Sequence, residues 1–195
     1  VLDIKRANHR LPDAPSHVLT KGEYRYPPFL HWALSFVPER ALPLVDRYFS
    51  GAMDIVLFGL VAVLVPLDIL TTPQLVIASA LMVATPQFMR PDLSHGVGLS
   101  GRKPGLMLTT AATLSFLLWV QSGVASYLLV SLLASVFVYL TSKFSLQAML
   151  FIGIAIGVWV NIAFLGVVAV GFVLAVAVTN GYYFAVFVGQ LRHLY

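Results

Sequence analysis

The sequence predicts an all-α fold: a polytopic transmembrane helix bundle of about five spans, with an interfacial helix and a short re-entrant helix beside it. The prediction rests on how few charges there are, where they lie, and how the apolar runs are spaced. Hydrophobic residues fill 59% of the 195 positions and charged residues only 10%. Mean hydropathy is +0.88. A water-soluble domain carries about 25% charged residues to cover its surface. From Pro104 to Tyr195 the only charged side chains are Lys143 and Arg192, and the other eighteen of the twenty precede Pro104. A stretch so poor in charge has lipid as its natural solvent.

Residues 1–28 are polar, with prolines at 12, 15, 27 and 28, and read as a loop outside the hydrocarbon with room for a short helical piece. Phe29–Val37 is apolar but too short to span, and Pro38 and Pro43 bracket a break. It reads as an interfacial helix with Trp32 at headgroup depth. Gly51–Leu70 is the first candidate span, with Asp54 and Asp68 near its two ends. Leu75–Ala84 falls short of the ~20 residues a span needs and reads as re-entrant, unless an extension to Met89 carries it across. Arg90–Gly105 is a polar loop rich in Gly, Pro and Ser. Four apolar runs follow: Leu106–Gln121, Val124–Leu140, Leu146–Val160 and Ile162–Thr179. Their breaks fall at Ser122-Gly123, Thr141–Ser145, Asn161 and Asn180-Gly181. Such tight turns make neighbouring helices antiparallel. The organisation is thus an extramembrane loop with a juxtamembrane helix over residues 1–50, and a bundle over 51–195. A start at Val1 and a stop at Tyr195 read as a portion of a longer protein.

Several functions are argued down by residue type. The chain has no cysteine, which excludes disulfides, thiolate metal sites and cysteine nucleophiles. His9, His17, His31, His95 and His193 lie outside the spans or at their edges, unsuited to axial ligation within helices. Ionisable groups are scarce where a proton or ion path needs them. Basic residues in the N-terminal block suit lipid headgroups, and no basic stripe interleaved with aromatics supports nucleic acid. With the N-terminal block on one side, the loops at 90–103 and 141–145 share the other, and their short basic stretches read as cytoplasmic. Gly153 and Gly157 form a GxxxG spacing that permits close helix contact.

The N-terminal block holds mixed carboxylates and guanidiniums beside the membrane, suited to an anionic, lipid-linked substrate. Arginine forks hold phosphate bidentately, and a carboxylate can take a proton from an acceptor hydroxyl. A solvated loop with headgroup-binding basics is the plainer reading of the same residues. Tyr24-Arg25-Tyr26-Pro27-Pro28-Phe29-Leu30-His31-Trp32, ahead of a juxtamembrane helix, resembles the first extracytoplasmic loop of bacterial GT-C-type membrane glycosyltransferases. Asn8-His9-Arg10-Leu11-Pro12 resembles the turn that precedes that motif. Ser142-Lys143-Phe144-Ser145-Leu146-Gln147 resembles a short Ser-Arg/Lys-Phe-x-x-Gln loop later in such proteins. The resemblance covers mainly residues 3–50.

This resemblance implies a multi-pass enzyme of the bacterial inner membrane that transfers a sugar from a polyprenyl-phosphate donor. It also implies an acidic base, often with a divalent metal such as Mg or Mn. Asp3 stands as that base, with Glu23 as its competitor. Arg10 and Arg25 would hold donor phosphate, while Tyr24, Tyr26 and His31 would shape the acceptor or lipid pocket. An aromatic belt accounts for Tyr24, Tyr26 and Trp32 equally well. The rival function is a non-catalytic transmembrane subunit packed against partner proteins in a larger membrane complex.

Overall fold

A computed structural model of the chain describes residues 2–6, 8–9, 29–63, 71–74, 76–77, 80, 102–184 and 187–188. The described residues are helices and their connections, with no strand among them. The order is α1 (Leu2–Arg6), α2 (Phe29–Ser35), a 3-10 turn (Glu39–Ala41), α3 (Leu42–Ala62), α4 (Arg102–Ser122), α5 (Ala125–Thr141), α6 (Lys143–Trp159) and α7 (Ala163–Val178).

Two boundaries differ from expectation. Pro43, expected to break the chain, sits in the first turn of α3, where the amide it lacks has no helical partner anyway. The helix therefore starts at Leu42 rather than Gly51, and the boundary expected at 50/51 falls inside it. Asp54 consequently lies in mid-helix rather than near an end. Arg102–Gly105, expected as loop, forms the first turn of α4. Of the expected re-entrant piece, residues 76, 77 and 80 are helical, and the rest of Leu75–Ala84 lies outside the described residues.

The four apolar runs become α4 to α7 almost as spaced in the sequence. Gly123, at φ +70°, ends α4 with its amide bonded to Trp119 O at 2.8 Å. Asn161 Oδ1 accepts from the Ala163 amide at 2.9 Å and starts α7. Asn180 at φ +49° and Gly181 at φ +83° end it, with Gly181 N bonded to Val176 O and Asn180 N to Ala177 O. That pattern is a Schellman cap with asparagine in the left-handed position. The expected Thr141–Ser145 loop shrinks to one residue. Extended Ser142 is at once the C-cap of α5 and the N-cap of α6.

Close packing joins these helices. The α4–α5 hairpin is pinned by Ser131 Oγ donating to Ala112 O at 2.7 Å. In the α6–α7 hairpin, a Cβ on Gly153 would stand 2.9 Å from Val168 Cγ2, and one on Gly157 2.6 Å from Leu165 Cγ. The GxxxG spacing is thus used inside the chain, against α7. Helix α7 meets α5 where Gly171 faces Ser135 and Tyr139, and the Tyr139 hydroxyl donates to Val168 O at 2.8 Å. Phe116 of α4 packs on Phe164 of α7, ring centroids 4.7 Å apart.

Polarity is distributed the opposite way from a water-soluble bundle. Thr109, Ser131, Ser135, Thr141, Ser142 and Ser145 are buried, while the outer surface carries Leu133, Phe151, Ile154, Val158, Val173 and Val178. Among the described side chains of α6 and α7, the exposed ones are all apolar. Among the described residues one helix, over Lys103–Ser122, is long and apolar enough by itself to cross a bilayer. Ala125–Thr141, Ser145–Trp159 and Ala163–Val178 are shorter apolar helices. Helix α3 carries Asp46, Arg47 and Asp54.

Candidate functional site at the charged end of the bundle

Of the residues expected to form a site, Arg10, Glu23, Tyr24, Arg25 and Tyr26 lie outside the described residues. Asp3 is a backbone position within α1. His31 sits in α2, half-buried, and burial pushes its imidazole below the usual histidine range. The implied metal finds no donor set here: among the described residues no three His, Cys, Asp or Glu side chains stand together.

What the structure does assemble begins at α1. Its last turn closes with His9 N on Ile4 O at 2.8 Å and Asn8 N on Lys5 O at 3.1 Å, with Asn8 at φ +52° and His9 at φ +61°. This is again a Schellman cap, in which asparagine accepts the left-handed conformation more readily than most residues. Asn8 and His9 form a turn, the rest of the expected 8–12 turn lying outside the described residues, and it aims the imidazole at α2. His9 Nδ1 lies 2.7 Å from Ser35 Oγ, whose one proton goes to Trp32 O at 2.6 Å. The histidine must then be the donor, which places a proton on Nδ1. The ring face stacks on Phe36, centroids 4.1 Å apart and planes 6° off parallel. Ile4, Leu30 and Leu34 are buried beneath.

Helix α2 in turn packs on α5. Phe29 meets Phe137 at 4.8 Å between ring centroids, one turn before α5 ends. At that same end, Lys103 Nζ in the first turn of α4 donates to Asp54 Oδ2 of α3 at 2.5 Å. There too the first turn of α4 touches the α5–α6 break. A Cβ on Gly105 would overlap Ser145 Oγ and stand 3.2 Å from Ser142 Cβ. The docked helices α1 and α2, the middle of α3 and the starts of α4 and α6 thus gather at one end of the bundle. The described parts of the N-terminal block thus lie at the same end of the bundle as Lys103 and Ser142–Ser145, which the sequence reading set on opposite sides. The connections at the opposite end, Gly123-Val124 and Val160–Ile162, carry no charge.

Three features of this end were not assigned from sequence. His9 and Ser35 are 26 positions apart, Asp54 and Lys103 49 apart, and Gly105 meets Ser142 only through folding. The local signal, an asparagine before histidine after a short helical run, was present for the first alone. The chain matches no protein-family model, no curated protein and no solved structure.

Proposed function

We propose that the chain is a polytopic membrane bundle acting as a glycosyltransferase-like protein, with its N-terminal segment held at one membrane surface to engage a polyprenyl-phosphate-linked sugar. The observation that carries the membrane part is the inverted polarity: small hydroxyls inside, branched and aromatic residues outside. In water an apolar surface of that extent would drive association. In lipid it costs nothing, while the inward hydroxyls of Thr109, Ser131, Ser135 and Thr141 donate to helix carbonyls. Helices α5 and α6, 17 residues each, and α7, 16 residues, are about 24–26 Å long. Their apolar turn residues add the remaining depth of a ~30 Å hydrocarbon core.

Helix α3 fits this reading once its middle is set at the level of Lys103. Its charged half, through Asp54, stays at the surface, and its apolar half from Ile55 enters the lipid. The transferase part is supported by the Tyr24–Trp32 motif and by α1 and α2 packing as an ordered platform at the charged end. Catalysis in this reading needs a base that takes the acceptor's hydroxyl proton as phosphate leaves the sugar.

The test is sugar transfer from polyprenyl-phosphate donors in membranes carrying wild-type protein, Asp3→Asn or Glu23→Gln. Transfer in wild type with a loss of about 100-fold or more in one variant is the expected result. Wild-type rates in both variants would remove both base assignments. No transfer by the wild type would favour a non-catalytic subunit of a larger membrane complex.

A further inference from the structure

We propose that a lipid with a hydroxyl-bearing headgroup binds along the outer face of α2. Its head donates to His9 Nε2, and its chain lies on an aromatic row that leads to α5. The site rests on the membrane reading above and not on the transferase reading.

Ser35 fixes the polar end. Its hydroxyl has one proton, given to Trp32 O, so His9 Nδ1 must be the donor in their contact. In the neutral imidazole the other nitrogen, Nε2, is then an acceptor with a free lone pair. The two nitrogens stand on opposite sides of the ring. Because Ser35 is fully buried, Nε2 points away from the interior of the α1–α2 unit. Among the described residues nothing donates to it. The ring is held at one edge by Ser35 and on one face by Phe36, so the lone pair keeps a fixed direction. Such an acceptor recognises a hydroxyl and offers nothing to a choline head, which has no hydrogen to donate.

The apolar end starts from the same Phe36. Between ring centroids, Phe36 meets Trp32 at 5.0 Å, Trp32 meets Phe29 at 6.3 Å, and Phe29 meets Phe137 of α5 at 4.8 Å. Phe36, Trp32 and Phe137 are exposed and Phe29 is half-buried, so the row is open on its outer side. Steps of four and then three residues put Leu133 and Val130 on the same face of α5 as Phe137, and both are exposed. The row therefore runs from a hydrogen-bond acceptor at the charged end to the surface that the membrane reading places among acyl chains. An amphiphile has that same order, with hydroxyls at one end and hydrocarbon at the other. A soluble partner would have to displace lipid from Leu133 and Val130, whereas a lipid enters the row sideways from the bilayer.

The experiment uses the protein in phosphatidylcholine nanodiscs. The discs are doped with glucosyl diacylglycerol, or with the same lipid carrying a fully O-methylated sugar that has no donor. Nitrogen-15 histidine spectra at about pH 8, where an ordinary histidine is neutral, follow the His9 ring, assigned by its loss in His9→Phe. The Nδ1-protonated tautomer is expected, with a saturable shift of the Nε2 resonance on adding the glucosyl lipid and none on adding the methylated one. Native mass spectrometry then counts lipid retained by the released protein. His9→Phe keeps a flat ring on Phe36 without the acceptor. Trp32→Ala shortens the row but leaves Ser35 its bond, which goes to the backbone of residue 32. Each should weaken retention of the glucosyl lipid about fivefold. Equal retention of the two doped lipids, a His9 ring protonated on Nε2 alone, or unchanged retention in both variants would overturn the site. None of these failures alters the water accessibility of the α6 and α7 faces, so loss of the site is distinguishable from loss of the membrane reading.

Discussion

Truncating Tyr139 to alanine is expected to lower the unfolding free energy by about 3 kcal/mol, the low end for losing a large buried aromatic. Tyr139 is fully buried and its ring joins three helical segments. It meets Phe172 at 5.8 Å and Tyr183 at 6.1 Å between centroids, and its edge fills the space over Gly171. On the membrane reading proposed above, the transfer of apolar surface from water drops out of the balance between helices. The lost packing and the cavity remain, which is why the low end applies. Tyr139→Phe keeps the ring and removes only the bond to Val168 O, for a cost of about 0.6–1.5 kcal/mol. Loss of helicity during titration of mild-detergent micelles with SDS reads both values. A Tyr139→Ala variant within about 0.5 kcal/mol of wild type, the range of inconsequential surface changes, would contradict the packing described.

The second large effect concerns Gly105. Gly105→Leu forces a branched side chain where even a Cβ overlaps Ser145, whose own Cβ would be 2.7 Å away. Overpacking costs about 1–3 kcal/mol and sometimes more, and here it separates two helix starts, so a loss of about 3 kcal/mol is expected. Helix propensity works the other way, favouring leucine over glycine by under about 1 kcal/mol, and does not offset it. Gly166→Leu is the control, because nothing lies within 4 Å of a Cβ there. That variant should be neutral or slightly stabilising. Gly105→Ala should cost less than leucine and be largely rescued by Ser145→Gly, a coupling that only direct contact produces. Equal stability of the Gly105→Leu and Gly166→Leu variants would rule out the junction.

Much of the bundle was legible because each apolar run in α4 to α7 ends at a residue suited to a turn. Gly123, Asn180 and Gly181 take positive φ, and Asn161 caps with its side chain. The start of α3 was not legible, since Pro43 is a breaker inside a helix and a favoured residue in its first turn. Ser142 hid for a related reason. A single extended residue can separate two helices, so the polar Thr141–Ser145 stretch looked longer as a loop than it is. The side on which α1 and α2 dock depends on Phe29 finding Phe137, and the pairing of Asp54 with Lys103 depends on the fold. No local pattern encodes either. The candidate site divides the same way. The Asn8-His9 turn was readable, while its Ser35 partner and the Ser142–Gly105 junction were not.

The absence of cysteine permits a direct test of whether the apolar outer surface faces lipid. Single cysteines are introduced at Ile154 and Val173, 57% and 63% exposed on the outside of α6 and α7, and at exposed Arg40 as a reference. Permeabilised membranes are then treated with a water-soluble maleimide, before and after dissolution in SDS. The membrane reading predicts rapid labelling of Arg40→Cys, with Ile154→Cys and Val173→Cys reacting only once the bilayer is dissolved. Labelling of all three at similar rates in intact bilayers would show those faces in water, and would contradict the reading on which the rest depends.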